Sequence, residues 1–138
     1  MMKDILISVI IPVYNAGRTL AATVSSVLSQ DFDSFELILV NDGSKDDSGA
    51  LCDRLAMSDG RIRVIHKSNG GVSSARNAGL EAACGRYVMF MDADDMLKQG
   101  ALSLMYADDA DFVVAGFEKV EAGKRYSYVP EITCFYDG

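Results

Sequence analysis

From Ile5 to Ile11 the chain reads Ile-Leu-Ile-Ser-Val-Ile-Ile, a β-branched run with a single polar interruption, as expected of a central parallel strand covered on both faces. A turn at Tyr14-Asn15-Ala16-Gly17 follows. Leu20, Val24, Val27 and Leu28 then recur at i, i+4, i+7 and i+8, which predicts an amphipathic helix ending near Gln30. Phe35 to Val40 predicts a second strand, closed by Asn41-Asp42-Gly43. Ser44-Lys45-Asp46-Asp47 has the form of a capping box, with Asp in place of the usual Glu, before a helix to about Met57 that carries Leu51 and Leu55 on one face. Asp46 and Asp47 fall in its first turn, where the helix dipole favours acids.

Ile62 to Ile65 predicts a short strand, and the exposed Arg63 within it points to an edge of the sheet. Asn69-Gly70-Gly71 turns the chain into a helix from about Val72 to Ala83. The small residues Ala75, Ala78, Gly79, Ala82 and Ala83 let that helix lie close to the sheet, and Gly85 ends it. Tyr87 to Met91 predicts a fourth strand, a short helix follows around Gly100 to Tyr106, and a fifth strand is expected at Asp111 to Phe117. Arg125 to Val129 offers one more. Strands and helices alternating at this spacing imply right-handed crossovers, hence an α/β, Rossmann-like, mostly parallel doubly wound sheet with helices on both faces. We expect one domain over residues 1–138.

Composition narrows the partners. The chain has 138 residues, 49% of them hydrophobic, enough for a core without disulfide staples. Its formal charge of −7 repels a phosphate backbone and argues against nucleic acid. An anionic nucleotide would meet the same repulsion unless a divalent cation bridged carboxylates to phosphate. Cys52, Cys84 and Cys134 are odd in number and show no CxxC spacing, which favours a reducing cytosol over a disulfide framework or a zinc site. The apolar run Ile5 to Val13 is far shorter than the roughly 20 residues of a spanning helix, and a single Lys3 precedes it, so it is read as a strand. His66 is the one histidine and is read as structural or merely exposed.

The strand Tyr87 to Met91 runs directly into Asp92-Ala93-Asp94-Asp95. One helix start needs one capping acid, not three, and carboxylates this close raise one another's pKa unless a cation lies between them. The cluster therefore reads as a hard-metal site at the carboxyl edge of the sheet, where open α/β sheets bind ligands. Tyr14 and Asn15, Asp42, and the segment around Arg76 also follow strands or begin a helix, so a parallel sheet brings them to that edge. Arg76 sits near a helix N-terminus against the dipole, a local conflict that calls for an anion, either the Asp42 carboxylate or a ligand group.

Pro12-Val-Tyr-Asn15, Asn41-Asp-Gly-Ser44, Asn69-Gly-Gly-Val-Ser-Ser-Ala-Arg-Asn-Ala-Gly79 and Asp92-Ala-Asp-Asp95 together resemble the family 2 glycosyltransferases of GT-A fold, in order and spacing, over roughly the first hundred residues. That part of such enzymes binds the donor. The resemblance implies a nucleotide-binding set of Pro12, Tyr14, Asn15, Asp42, Arg76 and Asp92. Tyr14 would stack on or edge the base, and Asp42 would accept the N3–H of uracil, a proton cytosine lacks. Asp92 would contact the ribose or the water shell of the metal. Asp94 would hold Mg²⁺ or Mn²⁺ against the diphosphate, with Asp92 or Asp95 as a further ligand, and the metal would stabilise the departing nucleoside diphosphate.

The implied reaction moves a sugar, with inversion, from a UDP-sugar to a glycan or lipid-linked acceptor, as in cell-surface polysaccharide synthesis. It implies a cytoplasmic protein, with association at the inner face of the membrane left open. The acceptor-activating base lies further downstream in the family, in a half this chain is expected to lack; Glu118, Glu121, Glu131 and Asp137 stand in no motif, and none is assigned. Two other classes compete. A sugar-phosphate nucleotidyltransferase would carry a Gly-rich basic loop after the first strand, where only Arg18 is basic. A non-catalytic nucleotide-binding module would share the fold.

Overall fold

The computed structural model describes residues 4–106, 111, 113 and 116–128. The chain forms two compact units, residues 1–102 and 103–138. The first contains β1 (Ile7–Val13), α1 (Leu20–Leu28), β2 (Phe35–Asp42), α2 (Ser48–Ser58), β3 (Ile62–Lys67), α3 (Val72–Ala82) and β4 (Tyr87–Phe90), and the short α4 (Ala101–Met105) follows at its end.

The four strands form one sheet in the order β3-β2-β1-β4, with every pairing parallel. β1 is central, with Ile10 in register with Ile38 on one side and Phe90 on the other. From β1 the chain steps to β2 and β3, then crosses back over α3 to β4. Right-handed connections place α1 and α2 on one face and α3 on the other. Burial agrees: Val9, Ile11, Val13, Leu37 and Leu39 are sealed on one side, and Ile10, Ile38 and Val40 on the other.

The second of these faces packs against Ala75 of α3, with Ala78, Ala82 and Ala83 alongside. Small residues are required there, because a Cβ on Gly79 would lie 2.4 Å from Ile10 Cγ2. Gly79→Val is therefore expected to destabilise the fold by about 1–3 kcal/mol through overpacking, seen as a lower urea midpoint at unchanged m-value.

Buried polar groups in the sheet are paired. Glu36 Oε1 accepts from the Ser8 hydroxyl at 2.7 Å and from the Cys84 N–H at 2.7 Å, while Oε2 takes the Arg63 guanidinium at 2.9 Å. Burial raises the Glu36 pKa, and these donors outweigh it and hold the carboxyl below its ordinary value. Arg63 also donates to the Ala82 carbonyl at 2.8 Å, anchoring the end of α3. β3 is indeed an edge strand, and the exposed arginine within it works as a latch.

Several local expectations are corrected. β2 runs through Asn41 and Asp42, which are strand residues and not the turn. The capping box does not form: α2 begins at Ser48, and Asp47 makes no side-chain cap bond. Asp46 Oδ1 accepts from Ser48 N–H instead, its Oδ2 accepts from Gly17 N–H, and Ser44 Oγ accepts from Asn15 N–H. Tertiary partners outbid the local cap, because the loops after β1 and β2 lie side by side.

In the second unit β5 (Phe117–Glu121) and β6 (Lys124–Tyr128) form an antiparallel hairpin, with Ala122 and Gly123 both at positive φ as a tight primed turn requires. The expected fifth strand is thus displaced. It begins at Phe117, where it was to end, and Asp111, Val113 and Gly116 are not in strand; the rest of that stretch, like Val129, Glu131, Cys134 and Asp137, lies outside the described residues. The hairpin is stitched by stacked Phe117 and Tyr128 rings, 4.7 Å apart.

Candidate functional site

The path of the chain reverses beside β1, and the crevice beyond the carboxyl ends of the strands at such a point is the natural ligand site of a parallel sheet. An open cleft of about 750 Å³ lies there. Its walls include Pro12, Tyr14 and Asn15 after β1, Asp42 at the end of β2, Gly71 and Val72 at the start of α3, and Asp92 and Asp94 after β4. Residues as far apart in sequence as Pro12 and Asp94 thus share one cavity.

Asp42 is the best-held residue in it. Its side chain is 4% exposed. Oδ1 accepts from Lys67 Nζ at 2.8 Å and Gly70 N–H at 2.9 Å, and Oδ2 from Gly71 N–H at 2.9 Å, with Asn69 Nδ2 at 3.4 Å. Burial alone would raise its pKa, but the bonds from Lys67 and the two amides prevail and depress it. The turn behind it needs glycine: Gly43 has φ +67°, and a Cβ there would lie 2.6 Å from Asn69 N.

Tyr14 is half exposed on the rim. Asn15, at φ 48°, spends its side-chain oxygen on the Lys45 N–H at 2.8 Å and on Asp46 N–H at 3.4 Å, so it ties the two loops of the cleft together. Behind them Asn41 Nδ2 meets His66 Nδ1 at 3.0 Å, and His66 Nε2 meets Asp53 at 2.8 Å. The histidine is structural, as expected.

Asp92, Asp94 and Asp95 are all exposed, and each offers a carboxylate oxygen lying within 4.8 Å of the others. Like charges 4 Å apart repel by about 1 kcal/mol even in water. Partial loss of water around its carboxyl, then the Asp94 and Asp92 charges, raise the pKa of Asp95. Three hard oxygen donors converging with a negative charge that one arginine at Asp92 only partly offsets suit Mg²⁺ or Mn²⁺. Arg76 answers its dipole conflict here and not at Asp42: its guanidinium lies 3.7 Å from Asp92 and 5.8 Å from the Phe90 ring centroid. The side chain leans toward β4, while Lys67 already occupies Asp42. Arg76 Nε is buried and makes no hydrogen bond.

One group of residues was not foreseen. Along α1 and just beyond its ends, Thr19, Thr23, Ser26 and Gln30 form a polar stripe beside the apolar one. Both threonine hydroxyls donate to the Ala93 carbonyl at 2.8 Å. Ser26 Oγ accepts from Leu97 N–H at 3.0 Å, and the Gln30 amide bonds Lys98 O at 2.8 Å and Leu102 N–H at 3.2 Å. The i, i+4, i+7, i+11 spacing was legible in the sequence, though it reads there as the solvent face of an amphipathic helix. Thr23, Ser26 and Gln30 are in fact buried.

These features define an α/β protein with an acidic cleft at the carboxyl edge of its parallel sheet. Residues 8–133 match the sequence model described as "Glycosyl transferase family 2", and the chain belongs to that family. It is 40% identical over 131 residues to glycosyltransferase GlyG of Streptococcus pneumoniae serotype 4, covering 90% of this chain and 44% of GlyG. It is 41% identical over 129 residues to the uncharacterized glycosyltransferase EpsJ of Bacillus subtilis, covering 91% and 37%. The chain thus spans less than half the length of these relatives.

Among solved structures, Staphylococcus aureus TarS 1–349 in complex with UDP-GlcNAc superposes with a TM-score of 0.66 at 30% identity, over 71% of this chain and 29% of that one. A mannosyltransferase of Pyrobaculum calidifontis in complex with GDP-Man and Mn²⁺ shares the fold, with a TM-score of 0.67 at 23% identity, over 70% of this chain and 30% of that one. The GT-A fold expected from the motifs is the fold observed.

Proposed function

We propose that the cleft binds the nucleoside diphosphate of a sugar nucleotide, with uridine as the base, and that the chain is the donor-binding part of an inverting glycosyltransferase acting on a glycan or lipid-linked acceptor. The observation that carries this is the triad of carboxylate oxygens within 4.8 Å, two of whose residues, Asp92 and Asp94, line the same cleft as the buried Asp42 acceptor. Asp94 and Asp92, with Asp95 beside them, would hold Mg²⁺ or Mn²⁺, which when bound supplies Lewis-acid stabilisation of the diphosphate leaving group.

The side chains around the metal divide the remaining work. Tyr14, half exposed on the rim, offers its ring to the base. The 3.4 Å Asn69 contact is the weakest of the four on the Asp42 carboxylate, so the Oδ2 lone pair it occupies is the one an N3–H of uracil takes most readily. Asp92, held by Arg76, faces the ribose side. Glu118 and Glu121 pair with Arg125 and Lys119 within the hairpin, and we assign neither as base. TarS complexes with UDP and UDP-GlcNAc support a uridine donor. The free thiols of Cys52 and Cys84 favour a reducing, cytosolic setting.

Thermal unfolding with UDP tests this. At a UDP concentration 100 times Kd, binding stabilises the fold by about 2.7 kcal/mol, a rise of several degrees in Tm that is expected with Mn²⁺ and is much smaller at the same UDP concentration in EDTA. CDP should shift Tm less. Equal Tm with and without UDP and Mn²⁺ would overturn the assignment.

A further inference from the structure

We propose that Thr19 and Thr23 are positioning residues for the metal site, acting through the Ala93 carbonyl; this rests on the metal-dependent donor binding proposed above. Both hydroxyls donate to that one oxygen at 2.8 Å, filling its two lone pairs. The carbonyl belongs to the peptide plane that joins Ala93 to Asp94, so holding it holds ψ of Ala93 and φ of Asp94. Those two dihedrals decide where the Asp94 carboxylate lies relative to Asp92. The Asp95 N–H bond to the Asp92 carbonyl at 3.2 Å closes the turn, and the fixed Ala93–Asp94 plane within it aims the carboxylates whose oxygens lie within 4.8 Å of one another. The clamp makes them converge before a cation arrives.

Thr19 and Thr23 also depart from what helices ordinarily do with threonine. Thr19 occupies the N-cap of α1, where its oxygen would normally accept a backbone N–H, yet no side-chain cap bond forms there. Its hydroxyl is turned to Ala93 instead. Thr23 is 1% exposed, and its hydroxyl is directed to the same acceptor across 70 positions of sequence. One hydroxyl would suffice to satisfy a carbonyl; two, from successive turns of one helix, fix its direction. Metal sites demand such orientation from the groups behind the ligands.

The test compares wild type, Thr19→Val/Thr23→Val, and Thr19→Ser/Thr23→Ser. Mn²⁺ affinity is read from the electron paramagnetic resonance signal of free Mn²⁺ with UDP present, and UDP affinity in EDTA is read by calorimetry. The double valine variant is expected to weaken Mn²⁺ at least tenfold with UDP affinity in EDTA changed less than twofold, and the serine pair to stay within twofold of wild type in both. If the double valine variant does not fold, Thr19→Val alone, at an exposed side chain, is expected to weaken Mn²⁺ at least threefold. Unchanged Mn²⁺ affinity in the folded valine variant, or an equal loss of both affinities, overturns the inference while leaving the functional reading intact. A wild-type chain that does not bind Mn²⁺ with UDP overturns both.

Discussion

Asp94→Asn is expected to weaken Mn²⁺ binding in the presence of UDP by at least 100-fold, about 2.7 kcal/mol, without lowering the Tm of the ligand-free protein. The amide keeps the size of the side chain and removes one of three charges whose oxygens lie within 4.8 Å. A metal site loses a hard anionic ligand, while the empty fold loses only repulsion. Those opposite effects distinguish a metal ligand from a structural acid, whose removal would lower stability. Calorimetry of UDP with Mn²⁺ beside a thermal scan without ligand reads both. The same charges make metal binding sensitive to acid. Because partial loss of water and its charged neighbours raise the Asp95 pKa, protons compete for the site from a pH above the ordinary carboxylate value of about 3.9, and Mn²⁺ affinity falls as pH drops through that range.

Asp42→Ala is expected to act on the fold itself, with a loss of about 3–5 kcal/mol, the usual result of removing one partner of a buried ion pair. Lys67 Nζ, with its side chain 21% exposed, loses its counter-ion, and the Gly70 and Gly71 amides lose their acceptor. The turn that starts α3 would open, so UDP binding should fall with stability. Asp42→Asn is expected to do less harm, since one amide oxygen still accepts. Acid reproduces part of the loss. The Asp42 carboxyl has a folded pKa below its unfolded one, so its stabilisation is complete above roughly pH 4–5, begins to fade below the unfolded value near about 3.9, and is gone once pH has fallen through the folded pKa. Urea midpoints for wild type and Asp42→Asn should therefore draw together as pH falls below about 3.9.

Much of this was legible along the chain. The aliphatic runs of β1 and β2 are long and β-branched because these strands are buried on both faces, and that burial is what makes them easy to see. The four motifs fall at strand ends and a helix start, so a parallel topology suffices to gather them. Gly79 and its alanine neighbours announce a close helix–sheet contact. Less visible were features whose partners are far away in sequence. Ser44-Lys-Asp-Asp47 has the form of a cap and serves as a bridge between loops, since Asn15 and Gly17 lie within reach only in the folded chain. The hairpin at Phe117 to Tyr128 was blurred because its turn is Ala-Gly, without the Asn-Gly or Asp-Gly signal, and its strands alternate weakly.

Arg76 and α1 show the boundary most clearly. That an arginine against a helix dipole needs an anion follows from local electrostatics, but the choice of Asp92 over Asp42 depends on which strand the side chain leans toward and on Lys67 having claimed Asp42. The stripe Thr19, Thr23, Ser26 and Gln30 has the spacing of a helix face, and periodicity cannot say whether such a face meets water or the 93–102 segment. The sequence by itself determined the parallel α/β sheet, the family and the acidic cluster at the end of β4, because burial, turn chemistry and charge density act between near neighbours. The tertiary structure alone decided which carboxylate each cation holds and that α1 grips the Ala93 carbonyl, because hydrogen bonds are short-ranged and directional, and their partners are set only when distant segments pack.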